Sequence, residues 1–287
     1  MEIVARSLYG SLADELRRPP GKVPRLHWLG QAGFVLRLPA PSGPTILIDP
    51  YLSDFLADKY RGRRFDHVRM MPAPIEARDL PPVDLVLCTH RHSDHMDPWT
   101  LPVIAESSPA CRFVVPGPEA DHAVEVGVPA NRLVPAAPGF RLELLPGFTV
   151  RPIPSAHEAL EVDEQGNSRY LGYVLEAGDV RLYHSGDCIP FPGQAGILER
   201  LRIDVALLPV NGRDPERSDH GVPGNFTWSE ALALCVAAGI PSLIPHHFGM
   251  FAFNTVDPWT LPPGPPAISV TVPSVECLYE LWGTRRR

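Results

Sequence analysis

The chain has 287 residues and a formal net charge of −7, from 26 basic and 33 acidic side chains. It is 44% hydrophobic and 21% charged, which is typical of a globular protein and excludes a disordered or collagen-like chain. No apolar run approaches the roughly 18 residues of a membrane span, and the N-terminus lacks a secretory pattern, so we expect a cytoplasmic protein with no membrane partner. The acidic balance argues against nucleic acid as a partner.

Strands and helices alternate in the first half of the chain. In chain order we expect an amphipathic helix at 2–18, two strands within 25–38, a buried strand within 44–54, a second buried strand at 83–92, a helix at 97–106, a strand at 112–117 and a helix at 118–127. Aliphatic and β-branched runs indicate the buried strands. The pair Asp97-Pro98 is typical of a helix start.

The second half repeats this pattern. It predicts a strand at 148–158, a hairpin at 168–187 that turns at Gly178-Asp179, a buried strand at 202–213, a helix at 227–239 and a strand at 241–248. Hairpins mixed with strand–helix units favour two sheets packed on each other with helices outside. We therefore interpret residues 1–287 as one domain, with an N-terminal helix (1–20), a core (25–260) and a C-terminal segment (261–287).

The densest chemistry lies in the run from His90 to His95, directly after a buried strand. His90 and His92 are two residues apart in extended chain and project to the same side. Asp94 and His95 follow as the chain turns toward the next helix. Imidazole and carboxylate suit zinc, manganese and iron, so this run predicts a metal site.

Further candidate ligands end other predicted strands. His157 follows strand-like residues, and Asp187 ends a buried strand before a turn. His246 and His247 point to opposite faces of a strand, so we expect only one of them to reach the site. Because α/β folds place their sites at strand ends, these positions predict two three-residue ligand sets with Asp187 between them.

The run THRHSDH, followed by SAH, SGD and PHHF, resembles the metallo-β-lactamase superfamily of metal-dependent hydrolases. Three segments, LPVNGRD (208–214), GNFTWSEA (224–231) and PHHFGMFAFNT (245–255), resemble L-ascorbate-6-phosphate lactonase and its close relatives. The resemblance spans about residues 25–260. It implies an α/β fold, an αββα sandwich with the metals at one edge of the two sheets.

The resemblance also implies a ligand set. One metal would be held by His90, His92 and His157, the other by Asp94, His95 and His247, with Asp187 as the bridge. His247 is favoured over His246 because the family places its ligand just before an aromatic residue, here Phe248. Arg91 stands where relatives often carry Asp.

The activity implied by the resemblance is the opening of a sugar lactone, most simply a phosphorylated one such as L-ascorbate 6-phosphate. Two divalent cations would activate water, and Asp94 would also act catalytically by moving a proton to the leaving alkoxide. The lactonase relatives use manganese, but a site without thiolates does not separate manganese from zinc. The resemblance also favours a homo-oligomer, which composition alone does not indicate.

A small, anionic substrate would need a cationic pocket. Arg213, with Asn211 and Asn225, is the first candidate for contacting it, since guanidinium matches phosphate with two parallel hydrogen bonds. The alternative is that Arg213 forms an ion pair with Asp214 or Glu216. The basic run 61–69 has two interpretations as well: a solvated loop, or a mouth that attracts anions.

Four further residues are candidates for supporting the ligands from behind. Asp49, Asp84 and Asp204 could accept hydrogen bonds from ligating histidines or could cap strand ends, and the sequence does not separate these roles. We expect His184 to lie beside the ligands and not among them. The remaining histidines, His27, His67, His122 and His220, indicate no special role.

Two other functions fit the same residues. The first is a phosphodiesterase or nuclease on the same fold, which the acidic charge and the lack of a basic arm disfavour. The second is a metal-binding protein without catalysis, which recognises a small ligand or a partner. The complete set of expected ligands gives no support to that second alternative.

Overall fold

The structure is a computed structural model that describes residues 1–41 and 43–283, so the last part of the predicted C-terminal segment, residues 284–287, lies outside the described residues. Its strands are β1 (Glu2–Ser7), β2 (Arg25–Gly30), β3 (Gly33–Arg37), β4 (Thr45–Ile48), β5 (Leu85–Leu87), β6 (Arg112–Pro116), β7 (Leu133–Ala136), β8 (Leu142–Leu145), β9 (Phe148–Pro154), β10 (Leu171–Ala177), β11 (Val180–His184), β12 (Val205–Pro209), β13 (Ser242–His246), β14 (Ser269–Val270) and β15 (Cys277–Trp282).

The α-helices are short. They are α1 (Leu12–Arg17), α2 (Phe55–Lys59), α3 (Leu101–Ser107), α4 (Ala120–Glu125), α5 (Gln194–Leu201), α6 (Pro215–Asp219) and α7 (Trp228–Ala237). The longest, α7, has 10 residues, whereas a bilayer needs about 20, so no helix in the described part of the chain is long enough to cross a membrane.

The strands form two mixed sheets. The first has the order β1-β15-β2-β3-β4-β5-β6-β7 and the second the order β14-β13-β12-β11-β10-β9-β8. Apolar side chains from both sheets fill the space between them, such as Phe34 and Leu87 from the first sheet and Tyr173 and Leu207 from the second. On the outer side of the first sheet, Leu47 and its neighbours pack under α1 and α3. This α/β sandwich confirms the predicted fold class.

The N-terminal segment differs from its prediction. Residues 2–18 hold a strand and a shorter helix, because β1 pairs antiparallel with β15, from Glu2 opposite Trp282 to Ser7 opposite Cys277. The helix prediction is therefore wrong for β1, whose partner lies at the far end of the chain, and right for α1. The helix after the ligand run also starts late, at Leu101, because Asp97 accepts hydrogen bonds from the Trp99 amide and the Ser53 hydroxyl in a preceding turn.

His27 of β2 is a buried imidazole whose two ring nitrogens have no hydrogen-bond partner among the described residues. Burial, aided by Arg37 and Arg25, lowers its pKa from 6.5 to about 3. The unfolded chain therefore binds a proton at His27 more readily than the folded chain between these values. Stability contributed by neutral His27 is fully present above the unfolded pKa and is lost as the pH falls toward the folded pKa.

We expect His27→Leu to flatten the dependence of stability on pH. Between about pH 7 and about pH 5, the metal-free variant should lose roughly 2 kcal/mol less unfolding free energy than the parent. Urea unfolding with a chelator at both pH values measures this difference. The exposed His220, changed to Gln, is the matched control and should leave the pH dependence unchanged; equal losses in parent and His27→Leu would contradict the prediction.

Candidate metal centre

The ligand run leaves the first sheet at the end of β5. His90 Nε2 lies 2.9 Å from His92 Nδ1, and the two rings meet edge to face, as expected for side chains that project to the same side. The His157 ring, carried by the segment after β9, has its centroid 5.2 Å from that of His90 and 5.0 Å from that of His92. These three residues offer ligand atoms that all lie within 4.8 Å of one another.

A second group of ligand atoms forms beside the first. Asp94, His95 and His247 also offer atoms within 4.8 Å of one another. The Asp94 Oδ2 atom lies 3.8 Å from His95 Nε2 and 4.0 Å from His247 Nε2. His247 follows β13 directly and has a positive φ of 62°, which turns its side chain toward this group.

Asp187 lies between the two groups. Its Oδ1 is 3.3 Å from His95 Nε2, and its Oδ2 is 3.1 Å from His247 Nε2 and 3.7 Å from His157 Nε2. The preceding Gly186 has a φ of 62°, and a Cβ there would lie 2.7 Å from the Cβ of Thr89. Glycine therefore lets the Asp187 turn approach the ligand run. The structure brings all seven predicted ligands together.

Several atoms of this cluster are buried without a hydrogen bond to any described residue. They are His95 Nε2, His157 Nδ1, Asp187 Oδ1 and His247 Nδ1. Buried polar atoms are nearly always paired, so their shared lack of a partner needs an explanation. Oxygen and nitrogen donors that converge without thiolates fit divalent zinc, manganese or iron. The residues therefore fit a metal centre.

The electrostatics divide the cluster into neutral rings and charged groups. Burial lowers the pKa of His90 well below its ordinary value and that of His157 to about 4, so both rings are neutral and can donate a lone pair. Burial also acts to lower the pKa of His95, but the surrounding carboxylates, Asp187 foremost, raise it well above 6.5. For Asp187 burial is outweighed by His247 and His95, which hold the carboxyl pKa well below its usual range.

Asp49 supports the cluster from behind, as one of its two predicted roles required. Its fully buried carboxylate accepts hydrogen bonds from the Thr89 amide at 2.8 Å and the Thr89 hydroxyl at 2.7 Å. It also lies 2.7 Å from His95 Nδ1. A proton held on Nδ1 leaves His95 Nε2 free to face Asp187 and Asp94, which is how carboxylates orient ligating histidines.

The other predicted supporting residues bind the backbone. Asp84 accepts a hydrogen bond from the Thr45 amide and Asp204 one from the Arg181 amide, so the structure favours strand capping for both. His184 contacts the Ala32 carbonyl and accepts a hydrogen bond from the Gly186 amide, so it lies beside the ligands, as expected.

His246 faces away from the cluster, as the alternation along β13 predicts. Its ring stacks on that of His184 with a centroid distance of 4.8 Å, and Phe34 meets its edge at 5.9 Å. His247, one residue later, faces Asp187. The geometry therefore selects His247 over its neighbour, in agreement with the family pattern.

The predicted substrate contacts lie elsewhere. Asn211 donates to Asn254, and Asn225 donates to Asn211 while accepting from the Cys188 amide, which makes a buried brace between loops. Arg213 binds both carboxylate oxygens of Glu230, at 2.6 and 2.7 Å. This corrects the expectation that the three side chains face substrate.

The partner of Arg213 also differs from the two carboxylates that the alternative named. Glu230 belongs to the capping box at the start of α7, where its carboxylate also accepts from the Thr227 amide. Asp214 binds Arg217 and Glu216 binds Arg64. Arg213 does form an ion pair, but its partner Glu230 lies at the start of α7 and is neither of the two carboxylates that the alternative named.

A cavity of about 930 Å³ opens over the ligand cluster. Asp94, Asp187 and His157 form part of its wall, together with side chains of the basic run 61–69, which include Arg63 and Phe65. His67, His122 and His220 also line it, although the sequence indicated no role for them. Their isolated positions gave no signal, because only the tertiary fold brings them to the cavity.

Gln31 is the site residue that sequence reasoning missed. It lies in the turn between β2 and β3 with a positive φ of 49° and is almost fully buried. Its Nε2 donates to Asp94 Oδ2 at 2.9 Å and lies 3.1 Å from His247 Nε2, and its carbonyl accepts from the His247 amide. A polar side chain between Gly30 and Gly33, at the turn of a mostly apolar hairpin, was the available signal.

Comparisons with known proteins find a family model and relatives that cover most of the chain. A family model described as the beta-lactamase superfamily domain matches residues 44–248. A "UPF0173 metal-dependent hydrolase" of Opitutus terrae is 31% identical over 243 residues, covering 82% of this chain and 88% of the relative. One from Rubrobacter xylanophilus is 28% identical over 236 residues, covering 80% of this chain and 83% of the relative.

Solved structures share the fold at low sequence identity. The isothiocyanate hydrolase from Delia radicum gut bacteria superposes with a TM-score of 0.69 at 17% identity, covering 91% of this chain and all of that one (100%). Igni18, a metallo hydrolase from Ignicoccus hospitalis, gives a TM-score of 0.62 at 19% identity with the same coverage, 91% and 100%. At these identities the likeness concerns the fold alone.

Proposed function

The chain belongs to the beta-lactamase superfamily and, within it, to the UPF0173 metal-dependent hydrolases, and from that premise we propose that it hydrolyses a lactone or carboxylic ester. The observation that carries this proposal is the convergence of seven nitrogen- and oxygen-donor residues, of which His92, Asp94, His157, Asp187 and His247 line one large cavity. The two ligand groups would hold two divalent cations, manganese or zinc, and Asp187 lies close to histidines of both groups.

Divalent cations held there would supply Lewis acidity, which lowers the pKa of water toward neutrality and polarises a carbonyl. The residues of the chain supply position and proton transfer. His90, His92 and His157 hold one side of the centre as neutral rings, and Asp49 fixes the tautomer of His95 on the other side. Gln31 keeps Asp94 in place through one carboxylate oxygen.

Asp94 is the group suited to move a proton. Its side chain is 16% exposed, against 6% for Asp187, and it lines the cavity. Burial acts to raise its pKa, but His95 and His247 outweigh this and lower the pKa, so the carboxylate is ionised and can accept a proton. In lactone hydrolysis, Asp94 takes a proton from water as the water oxygen bonds to the acyl carbon, the ring C–O bond breaks, and the departing alkoxide takes up that proton from Asp94.

For the substrate itself we propose a phosphorylated sugar lactone such as L-ascorbate 6-phosphate. Its support is the resemblance of segments 208–214, 224–231 and 245–255 to lactonases of that type. The test is an assay of the protein loaded with manganese, zinc or iron, against L-ascorbate 6-phosphate and simple lactones. We expect turnover that a chelator abolishes and that manganese or zinc restores. No turnover with any of the three ions would refute the lactone substrate and leave the family assignment unchanged.

A small phosphodiester is the second candidate, and the arginines on the cavity wall favour it, because they match phosphate oxygens. A chromogenic phosphodiester assay separates the two candidates. Strong cleavage of the phosphodiester with no hydrolysis of lactones would make the phosphodiesterase the preferred function. The net charge of −7 continues to disfavour a large nucleic acid in either case.

A further inference from the structure

The cavity over the metal centre has a basic mouth. Lys59, Arg63, Arg64 and Arg91 line it, whereas its acidic lining residues, within the part of the chain that the structure describes, are the candidate ligands Asp94 and Asp187. The whole chain carries a net charge of −7, so this mouth is a positive region on an acidic protein. Such a focused region raises the local concentration of anions.

Two of the cations in the mouth are not neutralised. Arg63 forms no ion pair with any residue in 1–41 or 43–283, and its side chain is exposed. Lys59 has its ammonium 5.1 Å from the centroid of the Tyr60 ring, again with no carboxylate partner in the described ranges. Arg64 differs, since it binds Glu216, so its charge is compensated.

Arg91 reaches the same cavity from the ligand run. Its Nε lies 3.8 Å from Oε2 of Glu119, a buried carboxylate that Arg169 binds through its other oxygen at 2.9 Å. The Arg91 side chain is 56% exposed, and its terminal nitrogens make no hydrogen bond to the described residues. Glu119 therefore anchors the inner edge of the guanidinium and leaves two nitrogens for a ligand.

We propose that Arg63 and Arg91, assisted by Lys59, form an oxyanion-binding subsite that holds a phosphate or carboxylate group of the substrate at the mouth. This deepens the proposed hydrolase function and rests on it. Guanidinium groups bind such oxyanions through paired, charge-assisted hydrogen bonds. The subsite takes the recognition role that the sequence assigned to Arg213, whose charge Glu230 already compensates.

The shape of the cavity sets the kind of molecule that carries the anion. A volume of about 930 Å³ is at the upper end for small-molecule sites and exceeds what a single phosphate fills. Tyr60 stacks on His67 at 4.4 Å, and Phe251 meets the same histidine ring at 4.9 Å. The subsite therefore suits a substrate in which the anionic group is attached to a flat or apolar part that can contact these aromatic rings.

The test uses inorganic phosphate and the metal-free protein, so that neither bound cations nor hydrolytic activity enter the result. We expect the full chain with chelator to bind phosphate at millimolar concentrations, measured by titration calorimetry. Arg63→Gln and Arg91→Gln should each weaken binding by about tenfold, which corresponds to about 1.4 kcal/mol. Acetate, titrated in parallel, distinguishes a carboxylate from a phosphate preference.

Arg61 offers the matched control, because it belongs to the same basic run, binds Asp58 and is absent from the cavity lining. Arg61→Gln should leave phosphate binding unchanged. If phosphate bound to the ligand histidines instead, its binding would persist in the double variant of Arg63 and Arg91, and the proposal would be overturned. No phosphate binding by the parent protein would overturn it as well. Unfolding curves verify that the exposed substitutions leave the fold intact.

If turnover is established, a second readout separates the subsite from the hydrolase proposal. The two glutamine variants should raise KM for an anionic ester about tenfold more than they raise KM for its neutral analogue. Equal losses on both substrates would overturn the subsite and keep the hydrolase. No hydrolysis by the parent would remove the hydrolase proposal, while the phosphate titration would still decide whether the mouth binds anions.

Discussion

Replacing Asp94 by Asn is expected to lower kcat by roughly 10²–10⁴-fold, the usual contribution of a positioned acid or base. Asparagine has the same shape and can still accept the hydrogen bond from Gln31, so the fold and the surrounding ligands should persist. What disappears is the ionised oxygen that accepts a proton on the cavity side. Turnover under saturating metal, with the metal content measured by atomic absorption, checks this expectation.

Asp187→Asn is the informative contrast to Asp94→Asn. Asp187 lies within 3.7 Å of three imidazoles and is more buried, so its charge should matter first for holding cations. We expect Asp187→Asn to lower the number of ions bound per chain, whereas Asp94→Asn, which keeps an oxygen donor beside His95 and His247, should retain the ions at saturating metal and lower the rate. Full activity in Asp94→Asn with its normal metal content would remove Asp94 from the proton-transfer role.

Replacing Asp49 by Ala is expected to weaken metal binding by about 10–100-fold, the usual effect of removing a carboxylate that orients a ligating histidine. It should also lower the free energy of unfolding of the metal-free protein by roughly 3–5 kcal/mol, because buried donors on Thr89 and His95 lose their partner. Competition with a chromogenic chelator measures the affinity, and urea unfolding measures the stability.

Asp49→Asn separates the two effects. Asn tolerates the positive φ of 44° at this position and keeps an oxygen for the Thr89 amide, so most of the stability should remain. The charge facing His95 is lost, so the metal affinity should still fall. If Asp49→Asn bound metal as tightly as the parent, the orienting role of the carboxylate would be refuted.

The sequence predicted the elements whose signals are local. Aliphatic and β-branched runs located the strands β2 to β6 and β9 to β13, and α7 forms within the predicted helix 227–239. It could not reveal that residues 2–7 complete a sheet edge, because their partner strand β15 lies at the opposite end of the chain. Hydrophobic patterning reports burial but not which strands pair.

The ligands were predictable for a similar reason, since their spacing and their positions at strand ends are visible in the chain. The supporting roles were not, because a carboxylate at a strand end looks the same whether it binds a histidine, as Asp49 does, or a backbone amide, as Asp84 does. The partner of Arg213 and the place of the basic run both depend on how loops fold over the sandwich. Gln31 carries no charge and matched no pattern of ligands.

Three of the four non-glycine residues with positive φ in the described ranges, Gln31, Asp49 and His247, surround the metal centre. Left-handed backbone is unfavourable for residues with a Cβ, so each of them holds conformational strain that glycine would relieve. At Asp49 the buried hydrogen bonds to Thr89 outweigh this strain, so its replacement would cost stability, whereas replacements that relieve strain at Gln31 or His247 would disturb the ligand cluster. An engineer who wants a hardier enzyme should fix these three positions and vary the distant faces of the sandwich.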